Sequence, residues 1–303
     1  MNGILPLWKP KGLTSHDCVY KVRKILKMKK VGHTGTLDPD VTGVLPICLG
    51  RATKIAEYIT DSGKVYEGEV TIGWSTTTED ASGDKVEEKK ITHSISRIEI
   101  LSVLQSLTGE ISQTPPMFSA VKVNGKRLYE YARQGIQVDR PSRQVTIHQL
   151  ELLDDREHFE GETITFRFRA ACSKGTYIRT LAVEMGEKLG YPAHMSKLVR
   201  TNSASISKEM CITLEKLEEM VKEETIEQVL LPLEEGIVHL PYLELSDTLA
   251  EKVKNGAVLE VPKAWPENNS KVTLMYEGRA LAIYQKHPTK PAFIKPIKVL
   301  FND

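Results

Sequence analysis

Sequence patterns for metal sites, disulfide frameworks and nucleotide-binding loops are missing from this chain of 303 residues. Its four cysteines lie far apart and form no Cys-x-x-Cys pair, which disfavours both a disulfide framework and a zinc cluster. No two of the eight histidines lie within five residues of each other. Neither a Gly-x-Gly-x-x-Gly loop nor a phosphate-binding Gly-Lys-Ser/Thr loop occurs. The sequence therefore predicts a protein that uses no metal and no organic cofactor.

Long hydrophobic runs are also missing, because no stretch approaches 18 uncharged apolar residues. The N-terminus starts with a short apolar run, and the first basic residue, Lys9, comes after it. This order is the reverse of a secretory signal, so we predict a cytoplasmic protein without membrane association.

The net charge of +1 conceals a strong asymmetry along the chain. Residues 1–54 hold ten Lys or Arg and three acids, and residues 252–303 hold nine Lys or Arg and four acids. Between them, residues 208–235 hold three Lys and nine Glu. The two basic blocks suit two surfaces that contact one polyanion, but solvated surface charge explains them equally well.

Helical and strand patterns alternate without a strict βαβ order, which is typical of an α+β fold. Alternation and apolar runs predict strands over 4–7, 44–49, 64–74, 144–153 and 162–172. Helical periodicity predicts helices over 15–28, with Ser15 as N-cap, and over 51–60, 95–107, 176–189 and 213–230. Asn124-Gly125 indicates a hairpin turn. After residue 240, short apolar runs cut by prolines predict a small β-barrel.

Residues 32–45 read GHTGTLDPDVTGVL and have neither helical nor strand periodicity. Three glycines and a proline fix an irregular loop that runs into a buried strand, with His33 and Asp38 inside it. Such a loop suits side chains held out for function. A tight turn in which Asp38 caps nearby amides is the structural alternative.

This loop closely resembles the catalytic loop of the TruB family, the tRNA pseudouridine-55 synthases. Further segments resemble family motifs in the same order along about 180 residues: KPKGLTS at 9–15, GVLP and GRATK within 43–54, KVY at 64–66, AVKVNGKRLY at 120–129 and CSKGTYIR at 172–179. The family isomerises uridine to pseudouridine in the T loop of tRNA without a cofactor. The resemblance therefore implies tRNA, through its T stem-loop, as the partner of a monomer that needs no protein partner.

The resemblance makes Asp38 the essential carboxylate and pairs Arg179 with it. It makes Tyr66 the residue that stacks on the flipped uracil, and it places His33 against the rearranged T loop. The residues alone allow other roles: Tyr66 as an ordinary core aromatic, His33 as a structural histidine and Arg179 as a surface arginine. Arg179 opposes the dipole of the predicted helix and lies off its apolar face, so helix stability does not explain it.

The resemblance adds Tyr177, Leu198 and Asp80 as substrate-site residues, with Asp80 orienting Arg179. An ordinary core residue is the alternative for Leu198. The sequence departs from the family pattern at two positions. Thr77 stands where the family usually has an acid, and Val199 replaces the first arginine of a common pair.

The resemblance implies an α+β catalytic domain with a mixed, largely antiparallel sheet over residues 1–240. It implies a small PUA-like β-barrel that binds RNA over 241–303, and a stabilising appendage is the alternative for this segment. A synthase guided to another RNA, as in relatives resembling dyskerin, is a second hypothesis. A non-catalytic RNA-binding or RNA-folding protein is a third. The missing glycine-rich loop argues against an RNA methyltransferase.

Overall fold

The computed structural model describes residues 1–267 and 271–301, so residues 268–270 and 302–303 of the expected C-terminal domain lie outside the described residues. Its strands are β1 (Gly3–Lys9), β2 (Val31–His33), β3 (Thr42–Leu49), β4 (Lys64–Ile72), β5 (Trp74–Thr76), β6 (Lys85–Glu88), β7 (Ile95–Ser96), β8 (Gly109–Gln113), β9 (Lys122–Val123), β10 (Lys126–Arg127), β11 (Arg143–Leu152), β12 (His158–Phe159), β13 (Ile164–Cys172), β14 (Ala193–Ser203), β15 (Ile206–Ser207), β16 (Tyr242–Glu244), β17 (Leu259–Glu260), β18 (Val272–Tyr276), β19 (Arg279–Lys286) and β20 (Phe293–Val299). Its α-helices are α1 (Ser15–Leu26), α2 (Ala56–Asp61), α3 (Arg97–Ser106), α4 (Leu128–Arg133), α5 (Ile178–Leu189), α6 (Leu214–Lys222) and α7 (Asp247–Lys254).

The chain divides into two compact units, one of residues 63–202 and one of residues 1–62 with the described residues from 203 onward. In the 63–202 unit, neighbouring strands follow the order β14, β4, β13, β11 and β8. The β4–β13, β13–β11 and β11–β8 pairs are antiparallel. Helices α3 and α5 pack against each other, with α3 on β11 and α5 on β4.

The N-terminal part of the other unit is built on β1, β2 and β3. β3 pairs antiparallel with both β1 and β2. Leu5, Leu7 and Leu45 of β1 and β3 are fully buried in one cluster with apolar side chains of α1 and α6. The glycine-rich loop leads directly into this buried ladder.

The C-terminal part of the same unit contains a five-stranded sheet in the order β16, β18, β19, β20 and β17. Its β16–β18 pair is parallel, and its other pairs are antiparallel. This curled sheet is a half-barrel, and α7 packs against it. Ala280 and Ile283 of β19 share a buried cluster with Ile4 and Val44 of the N-terminal strands. The C-terminal sheet therefore shares its core with the start of the chain.

The structure confirms the α+β class and the mixed sheets, with several local corrections. Thr14 caps α1 through a capping box with Asp17, whereas Ser15 was expected to do so. The helix predicted over 51–60 begins as a 3-10 turn at Gly50–Ile55, before α2. β4 ends at Ile72, because Gly73 has φ of +120° and breaks the alternation that was predicted to continue to Trp74.

Over residues 1–267 and 271–301, no helix combines the length and the apolar character needed to cross a membrane.

Candidate active site

Asp38 is half-buried in the loop between β2 and β3, and the chain is fastened on both sides of it. On one side, the Leu37 amide donates to Ser15 Oγ at 2.8 Å, and Ser15 Oγ donates back to the Leu37 carbonyl at 3.2 Å. On the other side, the Gly12 amide donates to the Pro39 carbonyl at 2.8 Å. The residues that flank Asp38 therefore have fixed backbone positions, which limits the directions its carboxylate can take.

Lys9 also fastens this loop, and its role was missed in the sequence. Its side chain is fully buried, and its Nζ donates to the Pro39 carbonyl at 3.1 Å and to the Pro10 carbonyl at 2.9 Å. Lysine is almost never fully buried without partners. Its place in the KPKG motif was the available signal, but the motif does not reveal that the ammonium turns inward.

His33 lies at the end of β2, opposite Ile47 of β3, and is half-buried. The next residue, Thr34, is fully buried, and its amide and hydroxyl both donate to the Pro46 carbonyl at 3.2 and 3.3 Å. His33 thus projects from an ordered strand end. Its proposed contact with RNA stays a prediction.

Arg179 lies in the first turn of α5 and is only 5% exposed. Its Nη1 donates to the Thr78 carbonyl at 3.0 Å, and its Nη2 donates to the Phe118 carbonyl at 2.9 Å. This burial excludes an ordinary surface arginine. It also corrects the expectation that Arg179 lies off the apolar face, because the first turn of α5 is buried on all sides.

Asp80 lies in the loop after β5 and reaches Arg179 indirectly. Its Oδ1 accepts from Thr78 Oγ1 at 2.7 Å and from the Ser82 amide at 2.9 Å. The Thr78 carbonyl in turn accepts from Arg179. Asp80 therefore orders the residue that supplies one acceptor to Arg179, and its orienting role stays a prediction with this physical route.

Tyr66 and Leu198 lie on neighbouring strands, β4 and β14. Tyr66 is 8% exposed, while Leu198 is half-buried. The two strands are bonded on both sides of these residues: Ser196 Oγ donates to the Glu69 carbonyl at 3.1 Å, and Thr201 Oγ1 donates to the Val65 carbonyl at 3.3 Å. Stacking of Tyr66 on a base stays a prediction.

Tyr177 is the N-cap residue of α5, and its half-buried ring lies under the Arg143 guanidinium at 4.8 Å. Sequence reasoning missed Gln113, which contacts Tyr177, and Glu184, which lies further along α5. Gln113 bonds both main-chain polar groups of Tyr177. The pKa of Glu184 is raised to about 7, chiefly by burial, and the negative charges of Glu187 and Glu79 contribute to this rise. No period or motif pointed to either residue.

In the described part of the chain, no group of three or more His, Cys, Asp or Glu is placed to hold a metal ion.

Two family models match consecutive segments of the chain. The model of the TruB family pseudouridylate synthase N-terminal domain matches residues 23–178, and that of the tRNA pseudouridylate synthase B C-terminal domain matches residues 179–238. Together they cover well over half of the sequence. The chain belongs to the TruB family of pseudouridylate synthases.

Curated relatives of this TruB-family chain match over the full length. A protein of Geobacillus thermodenitrificans named tRNA pseudouridine synthase B is 59% identical over 300 residues, which is 99% of each chain. A Bacillus cereus protein of the same name is 56% identical over 309 residues, covering 100% of this chain and 98% of its own.

Solved structures show the same fold at lower identity. The crystal structure of a Cbf5-Nop10-Gar1 complex matches 99% of this chain and 85% of its own, with a TM-score of 0.76 and 30% identity. A structure of an H/ACA RNP bound to a substrate RNA containing 2'-deoxyuridine matches with a TM-score of 0.74 and 27% identity, covering 99% of this chain and 86% of that one. The TruB-family chain is therefore a pseudouridine synthase, an isomerase, and the non-catalytic and methyltransferase hypotheses fall away.

Proposed function

We propose that this chain converts uridine to pseudouridine at position 55, in the T loop of tRNA. The observation that carries the proposal is the 59% identity, over 99% of both chains, to a protein named tRNA pseudouridine synthase B. The fastened loop around Asp38 supports it, because a catalytic carboxylate needs a fixed direction.

The isomerisation breaks the bond between N1 of uracil and C1′ of ribose, turns the base and joins C5 to C1′. The hydrogen on C5 leaves as a proton, and N1 gains a proton once its bond to C1′ is broken, so no oxidant or reductant is needed. Asp38 supplies the carboxylate, either as a nucleophile or by assisting glycosidic cleavage and later taking up a proton. Both routes leave the same product.

Three other side chains have roles in this proposal. Arg179 keeps the carboxylate of Asp38 ionised and aimed, as an adjacent guanidinium does. Tyr66 stacks on the flipped uracil and is the candidate proton acceptor for the ribose. His33 enters the space that the flipped base leaves in the T loop.

We also propose that residues 1–240 form the catalytic domain and residues 241–303 a PUA-like RNA-binding domain. Supporting features are the curled sheet and the exposed cations of this segment, such as Lys286 and Lys290.

Because β19 shares a core with Ile4 and Val44, deleting residues 241–303 would damage the fold. The charge reversals Lys286→Glu and Lys290→Glu are therefore better tests. The binding constant should fall less steeply with salt concentration in each variant. For each lost phosphate contact, the slope of log K against log salt should become shallower by about 0.7–0.9.

The function is tested with the purified full-length chain and a transcribed T stem-loop labelled with tritium at C5 of uridine. We expect tritium release and pseudouridine at position 55, with no other protein and after dialysis against a chelator. A transcript with cytidine at that position is the control. Product that forms only with added proteins or a guide RNA would favour the guided synthase. Pseudouridine at another position would refute the T-loop assignment.

A further inference from the structure

The first turn of α5 is held by side chains and carbonyls from distant segments of the same compact unit. Tyr177, Arg179 and Thr180 each make hydrogen bonds to such segments. In α5, which the structure describes throughout, the N-cap residue Tyr177 makes no side-chain capping bond, and no acidic residue lies in the first turn. The start of this helix is therefore fixed from outside, because its own sequence supplies no cap.

Gln113, the last residue of β8, is fully buried and fixes the two peptide groups on either side of the Tyr177 Cα. Its Oε1 accepts from the Tyr177 amide at 2.9 Å, and its Nε2 donates to the Tyr177 carbonyl at 3.1 Å. A carboxamide presents a donor and an acceptor side by side, which neither a carboxylate nor an alkyl chain does. Gln113 therefore sets both the position and the rotation of the residue that precedes α5.

Glu79 fixes the other side of the turn. Its Oε2 accepts from Thr180 Oγ1 at 2.7 Å, while the carbonyl of the preceding residue, Thr78, accepts from Arg179 at 3.0 Å. Two consecutive loop residues thus hold two consecutive helix residues. Burial raises the pKa of Glu79, while the Thr180 hydrogen bond and the positive charge of Arg179 act in the opposite direction.

Glu79 adopts an unusual backbone conformation, with φ of +65°. A residue other than glycine keeps a positive φ where the surrounding structure enforces it, and such residues cluster at functional sites. The Met195 amide donates to the Glu79 carbonyl at 3.0 Å, and the Glu79 amide donates to the Thr76 carbonyl at 3.3 Å. The loop is therefore held in a strained form that presents two acceptors to α5.

We propose that Gln113 and Glu79 are positioning residues that hold Tyr177 and Arg179 in the orientation needed for the isomerisation. This inference rests on the proposed function, since it concerns side chains of that same site. Both residues act through the first turn of α5. A displacement of this turn by about 1 Å is enough to lower turnover about 100-fold.

The test uses three variants of the full-length protein. Gln113→Met removes both hydrogen bonds to Tyr177, Glu79→Leu removes the acceptor for Thr180, and Glu79→Gln keeps a neutral acceptor. The exposed residues Gln228 and Glu218 supply matched controls as Gln228→Met and Glu218→Gln. The measurements are single-turnover tritium release, affinity for the T stem-loop, thermal unfolding, and hydrogen exchange of the peptide that covers residues 177–182.

For Gln113→Met and Glu79→Leu we expect a rate about 100-fold lower, an affinity within about threefold of the wild type, and faster exchange in the 177–182 peptide. Glu79→Gln should lose only about tenfold, because a neutral acceptor replaces a charged one. In an Arg179→Lys background, the Glu79 substitutions should add little further loss. This non-additivity separates positioning from a general loss of stability.

Folded variants with wild-type rates, or losses that simply add to that of Arg179→Lys, would overturn the inference. If Glu79→Leu fails to fold, Glu79→Gln decides the matter. A wild-type chain that forms no pseudouridine would instead overturn the proposed function. In that case unchanged exchange in the 177–182 peptide would overturn the positioning role as well, and faster exchange would support it.

Discussion

The Asp38 loop and the first turn of α5 are both rigidly held, but by partners at very different distances along the chain. The bonds that fasten the loop reach Lys9, Gly12 and Ser15, which are 22 to 30 residues away. The bonds that fasten the turn reach residues 78, 79, 113 and 118, which are 61 to 101 residues away. The loop is thus encoded by two neighbouring motifs, whereas the turn depends on the assembly of the whole 63–202 unit.

The largest expected effect lies in the loop. Asp38→Asn should abolish pseudouridine formation, because an amide has neither the charge nor the nucleophilic oxygen of a carboxylate. RNA binding should survive, since phosphate contacts and base stacking do not need this carboxylate. The measurement uses a T stem-loop with a fluorescent base beside the target uridine, which reports binding and unstacking while a pseudouridine-specific chemical assay reports product.

The Asp38→Asn variant should keep the conformation of the loop, because asparagine preserves the size of the side chain and leaves the Leu37 and Pro39 hydrogen bonds in place. Product above a trace would move the chemistry away from Asp38. Loss of binding together with product would mean that Asp38 shapes the loop instead, which is the structural alternative.

The second effect lies in the turn. Arg179→Lys should lower the single-turnover rate about 100-fold, because one ammonium cannot reach both the Thr78 and the Phe118 carbonyls as the planar guanidinium does. One buried carbonyl then loses its donor, which should lower the free energy of unfolding by about 1–2 kcal/mol. Urea unfolding and tritium release measure the two effects. A lysine variant with the wild-type rate would show that catalysis does not depend on the paired hydrogen bonds from Arg179 to the Thr78 and Phe118 carbonyls.

The same contrast explains how much the sequence could predict. The glycines and proline of the loop identify an irregular segment, and Asn124-Gly125 forms its hairpin turn between β9 and β10. By contrast, Gln113 looks like any polar strand residue, and Glu79 looks like a loop acid. Their roles follow from long-range bonds and from a positive φ, which periodicity and local propensity do not encode. The burial of Lys9 and Arg179 was missed for the same reason.

A third effect returns to the loop. Lys9→Met keeps the length of the side chain but removes the donor from the Pro39 and Pro10 carbonyls. We expect the free energy of unfolding to fall by about 2 kcal/mol, with a loss of turnover that is smaller than for Asp38→Asn. Urea unfolding measures the change in stability, and tritium release on the folded protein measures the change in turnover.

Lys11→Met is the matched control, because Lys11 is exposed and makes a loose ion pair of 3.9 Å with Asp40. Equal effects at both positions would contradict a special role for the buried lysine.

The smallest effect sharpens the account of α5. The pKa of the Glu184 carboxyl is raised, chiefly by burial, from 4.5 to about 7. The folded chain therefore keeps a proton between these values that the unfolded chain releases. The associated stability is fully present below pH 4.5 and is lost as the pH rises through 7.

The test is Glu184→Gln, which is neutral at every pH. Its free energy of unfolding should match that of the wild type near pH 4.5 and exceed it by about 1–2 kcal/mol at pH 8, a value reduced for partial exposure. Urea unfolding at several pH values measures this, with Glu218→Gln as the exposed control. If the difference in free energy of unfolding between variant and wild type does not change with pH, the pKa of Glu184 is not raised. Its carboxyl group is then ionised in the folded chain across this pH range.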